Sequence, residues 1–230
     1  MSDKKPFTKP ETWWLQPAIV ADIYQLGRQI ADACNGKTVV GLGQSAFWAV
    51  IMASEICRHE NRTPINYVFV PLSGNAVTPT KDSTPADRRF ELSSDYKAAA
   101  VQALGNLLAS HCNNNAVIID ALITGKGMAT AMLALGGLPA TFLSFQNADA
   151  QQAIKFTLPD GHTNTVNVFG VPEVAFNCLT ESDKAVGESS DRVITSMPVE
   201  KWGTPAGNIN LTTGTPGQIF SAFQIFVKTQ

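Results

Sequence analysis

The chain is poor in the residues that build metal and disulfide frameworks. It holds four cysteines and three histidines in 230 residues. Cys34, Cys57, Cys112 and Cys178 lie far apart with no CxxC pair, so neither a zinc ribbon nor a disulfide scaffold is expected, and the thiols read as reduced. His59, His111 and His162 form no HExxH or other ligand spacing. His59 and His111 fall near the ends of expected helices, where the dipole suits a histidine. No run reaches the roughly 18 apolar residues of a membrane span. The first residues, MSDKKPFTKPETWW, carry lysines with no apolar stretch behind them; they do not read as a signal peptide, which points to the cytoplasm. Charged residues make up only 16% and the formal net charge is -2, so no broad nucleic-acid footprint is expected. No internal repeat and no low-complexity tract interrupts the chain.

What is present is apolar. Hydrophobic residues make up 44%, enough for a packed core in one domain or one domain with an appendage. Residues 1–12 read as a polar arm, and Trp13 to Pro17 as the packed start of a helix. From Ala18 the positions Ile19, Ile23, Leu26 and Ile30 recur at helical spacing until Asn35-Gly36 stops them. Strands are expected at Thr38–Leu42, Ile65–Val70, Ala116–Ile119 and Ala140–Phe145. Helices are expected between them, at Ala46–Cys57, Tyr96–His111 and Met128–Leu135. That alternation predicts an α/β fold, a parallel sheet of four or five strands with helices on both faces. Between Ser73 and Asp95 lies a polar stretch too long for an ordinary connection, which reads as a functional loop, a lid or disorder. Beyond residue 150 the character changes. Ile154–Leu158 and Thr165–Phe169 flank Pro159-Asp160-Gly161 and predict a hairpin. Val174–Cys178 reads as a further strand and Gln218–Val227 as a closing helix. The expected organisation is a core over 1–150 and a β-rich cap over 151–230.

Ligands of a parallel sheet sit outside the carboxyl ends of its strands. Three glycine turns occupy that edge: Gly41-Leu42-Gly43-Gln44-Ser45, Pro71-Leu72-Ser73-Gly74-Asn75 and Thr124-Gly125-Lys126-Gly127. The first and third run straight into helices, where free amides and the dipole favour a phosphate. Ser45 and Thr124 add hydroxyls there, and Lys126 a charge. Short turns between strand and helix need glycine in any case, so one turn alone carries little weight. A dinucleotide fingerprint is not supported: the sixth position of GxGxxG is Ala46, and no acid ends the following strand. The phosphate loop GxxxxGKS/T and the nucleophile elbow GxSxG are absent. Phe47 and Trp48 are adjacent, so one is expected in the core and the other at a pocket or interface. Trp13, Trp14 and Trp202 offer apolar surface for a homodimer contact.

The stretch AVIIDALITGKGM carries a resemblance. Ile118 to Gly127 resembles the ribose-phosphate loop of the type I phosphoribosyltransferases, in which an apolar strand, two acids and two variable positions precede a Thr-Gly step. Asp120 matches the second acid, and Thr124-Gly125 the Thr-Gly step. Ile119 stands in place of the first acid and Gly127 in place of a phosphate-binding Thr or Ser. The resemblance implies a phosphoribosyltransferase-like core with a C-terminal hood that selects the base. It implies that Asp120 holds ribose hydroxyls, beside Mg2+ where that ion is used, and that Thr124, Gly125, Lys126 and Gly127 bind the 5-phosphate. It implies that Gly43, Gln44 and Ser45 bind diphosphate, with Ser73 and Gly74 beside them. Lys81, Arg88 or Arg89 would close over the leaving group from a lid. Read without the resemblance, those cations belong to a solvated loop, and Asp120 is a helix cap or polar strand end.

Three functions follow from these residues. The first is a phosphoribosyltransferase-like protein that binds a phosphorylated ribose or nucleotide and transfers phosphoribosyl to a nitrogen nucleophile. The second is a non-catalytic binding or regulatory protein on the same scaffold, favoured by Ile119 and Gly127. The third is a sugar-phosphate isomerase-type domain, suggested by the serine-bearing turns at Gly41–Ser45 and Ser73–Asn75.

Overall fold

The computed structural model describes residues 10, 12–72, 76–112, 116–148, 152–180, 202–207 and 209–230. A 3-10 turn at Trp13–Leu15 leads into α1 (Pro17–Cys34). Then follow β1 (Thr38–Leu42), α2 (Phe47–His59), β2 (Asn66–Val70), β3 (Val77–Pro79), β4 (Asp87–Leu92), α3 (Ala98–Cys112), β5 (Ala116–Ala121), α4 (Lys126–Leu135), β6 (Thr141–Asn147), β7 (Gln152–Thr157), β8 (Thr163–Val171), α5 (Glu173–Thr180) and α6 (Gly214–Lys228).

The eight strands form one sheet in the order β2-β1-β5-β6-β8-β7-β4-β3. Five neighbours, β2, β1, β5, β6 and β8, run parallel. The expected α/β architecture is therefore present, with helices on both faces. β7 is antiparallel to β8, as the Pro159-Asp160-Gly161 turn predicts, and β4 runs parallel to β7. Alternation along each strand splits the core into two layers. On β5, Ile119 and Ala121 face the cluster under α1, α2, α5 and α6. Ile118 and Leu122 face the cluster under α3 and α4.

Several expectations are corrected. The stretch from Ser73 to Asp95 contains the antiparallel β3–β4 hairpin, with Val77 opposite Leu92, and this hairpin extends the sheet beyond β7. Val174–Cys178 lies in the helix α5; its buried residues Ala175, Phe176, Cys178 and Leu179 follow helical spacing after Pro172, not strand alternation. Residues 152–171, expected in a cap, supply two strands of the central sheet. Phe47 and Trp48 are both buried and meet edge to face at 4.8 Å. Trp13, Trp14 and Trp202 are buried within the chain.

The β3–β4 hairpin is fastened to α4 as well as to β7. The buried hydroxyl of Thr130 on α4 accepts a hydrogen bond of 3.0 Å from the Ala76 amide. The Ala76 carbonyl accepts one of 3.0 Å from the Ser93 amide across the hairpin base. Thr130→Val keeps the shape and removes the acceptor. It strands a buried amide, a loss of about 1–3 kcal/mol. Urea unfolding should show that loss, and hydrogen exchange at Ala76 should accelerate more than exchange within α1.

Candidate functional site

The carboxyl ends of β1 and β5 place their following turns side by side. Ser45, three residues beyond β1, donates its hydroxyl to Asp120 Oδ1 at 2.9 Å. The Ala121 amide donates to the same oxygen at 2.8 Å. The sequence accounts for this locally. Asp120 shares strand parity with Ile118 and Leu122, so its side chain emerges on the α3 and α4 face, near the start of α4. Ile119 emerges on the opposite face and is buried beneath α1 and α2. An acid at position 119 would lie in that apolar layer, so the site carries a single carboxylate.

Gly125 and Gly127 are required here for different reasons. Gly125 caps α4 with φ +78, a left-handed conformation that suits glycine. A Cβ on Gly125 would lie 2.9 Å from the Phe156 ring and 3.2 Å from Nη1 of Arg88. A Cβ on Gly127 would lie 2.7 Å from Asp120 Oδ2. A side chain at 127 would therefore meet the carboxylate, which occupies that space. Thr124 is exposed, and its hydroxyl accepts from the Lys126 amide at 3.4 Å. Lys126, half-buried, is the first residue of α4.

Arg88 joins the site from β4, where it stands in register with Phe156 of β7. It is a strand residue, not part of a mobile lid. Burial holds its guanidinium below the usual value, and no carboxylate pairs with it among the described residues. Its neighbour Arg89 is instead paired with Asp82 at 3.1 Å. Lys81 is exposed on the turn of the hairpin and makes no hydrogen bond or ion pair among the described residues. The β1–α2 turn has less to offer a diphosphate. The Gly43 amide already donates to the Val70 carbonyl at 2.7 Å, and the Ser45 hydroxyl is engaged with Asp120. Gln44 lies in the same turn. Ser73 and Gly74 lie outside the described residues.

Desolvation dominates the chemistry of Asp120. Burial pushes its carboxyl up to about 7, and the bonds from Ser45 and the Ala121 amide only partly oppose this. Near neutral pH the group exchanges between acid and carboxylate, the range in which a side chain can take or give a proton. The residues do not fit a resident Mg2+. Oδ1 is occupied by two donors, and no group of three His, Cys, Asp or Glu residues converges among the described residues. Ser144 is a polar residue that the sequence reading passes over. It is fully buried on β6, beside Asp120 in the sheet. Its signal was one serine within the buried apolar run Phe142–Phe145.

No helix among the described residues is long and apolar enough to cross a membrane. Compared with models of protein families and with curated proteins, the chain matches none.

Proposed function

We propose that this chain is a phosphoribosyltransferase-like protein that binds a phosphorylated ribose. The observation that carries the reading is the bipolar site: Asp120, held by Ser45, lies against Gly127 at the start of α4, with Arg88 beside Gly125. The helix start and the guanidinium form an anion end. The carboxylate forms an end that accepts hydrogen bonds from hydroxyls. A sugar phosphate has both chemistries in one molecule. Ribose is preferred over other sugars by the resemblance of Ile118–Gly127 to the ribose-phosphate loop. Any Mg2+ would enter with the phosphates of the ligand.

Transfer of phosphoribosyl to a nitrogen nucleophile is the catalytic form of this reading. The non-catalytic form, a binding or regulatory protein, is favoured by the single carboxylate and by the engaged Gly43 amide. Calorimetry with ribose 5-phosphate, 5-phosphoribosyl 1-diphosphate and a nucleoside monophosphate, each with and without Mg2+, tests the binding. Release of diphosphate in the presence of candidate bases then separates enzyme from binder. Binding of none of the three ligands overturns the proposal.

Arg88→Gln gives a sharper test. A charged hydrogen-bond donor to phosphate is worth about 1.5–3 kcal/mol, so affinity should fall about 10- to 100-fold. Stability should change little, because Arg88 has no ion pair among the described residues to lose. Lys81→Gln should leave affinity within about twofold, as expected of an exposed cation.

A further inference from the structure

Ser144 has a hydroxyl with no hydrogen-bond partner and no exposure to solvent. Buried polar atoms in native proteins are nearly always paired, so an orphan calls for a physical reason. Its position supplies one. Ser144 of β6 is the register partner of Asp120 on β5, and paired residues of parallel strands project to the same face. Ser45 lies on the β1 flank of Asp120 and already bonds Oδ1. Ser144 lies on the β6 flank, and Oδ2 has no hydrogen-bond donor among the described residues. The carboxyl is therefore set between two serines, one engaged and one free.

We infer that Ser144 is a positioning residue for Asp120, a hydroxyl in reserve that bonds the second carboxyl oxygen in either of its protonation forms. A hydroxyl is suited to this because it both donates and accepts. When Asp120 is ionised, the Ser144 O–H donates to Oδ2. When Asp120 is protonated at Oδ2, that O–H donates to the Ser144 oxygen. A rotation about one side-chain bond switches between the two. The surroundings leave this role to the serine. On that face Leu42 of β1 flanks Asp120, Val168 of β8 flanks Ser144, and α3 covers the layer with Leu104 and Leu108. The cations on the packing elements are Lys126 of α4 and Arg88 of β4, and neither contributes to setting the carboxyl, which is governed by burial, Ser45 and the Ala121 amide. The inference stands whether or not ribose phosphate is the ligand.

The test is a pH titration of the Asp120 carboxyl carbon by NMR in the ligand-free full chain. Charge-assisted bonds are roughly twice as strong as neutral ones, so losing Ser144 harms the ionised form more. Ser144→Ala should raise the midpoint by about 0.5–1 pH unit, and Ser144→Thr should restore it. Ser45→Ala, which removes a bond already present, is the positive control and should raise it as well. If Ser45→Ala moves the midpoint and Ser144→Ala leaves it in place, the inference is overturned. A merely structural serine would change the melting temperature alone. Should Ser144→Ala lose its fold, Ser144→Cys keeps the volume, removes most of the hydrogen-bonding capacity and is read by the same midpoint.

Discussion

Asp120→Asn should cost the protein its ligand and at the same time make it more stable above pH 7. The two effects share one cause. Asparagine keeps an oxygen for the Ser45 hydroxyl and the Ala121 amide but carries no charge. In the wild type, burial lifts the carboxyl from the usual 3.8 to about 7. Between those values the folded protein holds a proton that the unfolded chain has released. Folding stability is therefore full below about pH 4, declines as pH rises towards 7, and is level above it. The Asn variant lacks this decline. Wild type and variant should unfold at similar urea concentrations at pH 4, and the variant should lead by about 2 kcal/mol at pH 8 once solvent screening is allowed for. Ribose-phosphate affinity should fall about 100-fold, since the ionised acceptor for the ligand's hydroxyls is gone. Parallel pH–stability curves for the two proteins would contradict the burial of the charge. Unchanged affinity would contradict the role of Asp120 at the site.

Trp202→Ala should be the most damaging single truncation outside the site. Trp202 is buried with Val40, Leu104 and Leu108 on the α3 side of the sheet. Gly203 next to it sits against Ala103, where a Cβ would come within 3.0 Å of the Ala103 Cβ. Three residues further on, the Ala206 amide donates to the Phe69 carbonyl of β2 at 2.7 Å. Ile209 and Leu211 then pack on the opposite layer, ahead of α6. The segment thus passes around the edge strand from one face of the sheet to the other, with the indole as its anchor. Truncating a buried tryptophan costs about 3–5 kcal/mol. It also frees the hydrogen-bonding edge of β2, which invites strand pairing between molecules. A fall in urea midpoint with concentration-dependent association is expected. A midpoint within about 1 kcal/mol of wild type would show that the anchor is not needed.

The parallel core was legible because its strands announce themselves. Thr38–Leu42 and Ala116–Ile119 are apolar runs buried on both faces, and such runs between helical patterns admit few other readings. The β3–β4 hairpin was not legible. In β4, Asp87 to Leu92, Phe90 alone is buried, so the strand shows charge where an interior strand shows valine. Its pairing partner β7 lies far along the chain, beyond the reach of local pattern. In α5, eight residues are too few for periodicity to overrule the β-prone Val174 and Phe176, although the spacing of Ala175, Phe176, Cys178 and Leu179 was there to be read. At the site, the meeting of Ser45 with Asp120 follows from strand order at the carboxyl edge. The place of Arg88 does not, because it depends on which strand the hairpin joins. Ile119 and Gly127 looked like losses from a motif. One lies in the opposite core layer, and the other leaves room for a carboxylate.

The pairing of β4 with β7 also sets an order of assembly. The ribosome delivers residues 77–92 well before residues 152–157, so the hairpin must wait for its partner strand. Ser45 and Asp120 both precede β7 and β8 in the chain and can meet once β1 and β5 are paired. Arg88 reaches Gly125 only after β7 and β8 have closed against β6. The anion end of the site is completed last, and a nascent chain arrested before residue 150 would hold the carboxylate without its cation.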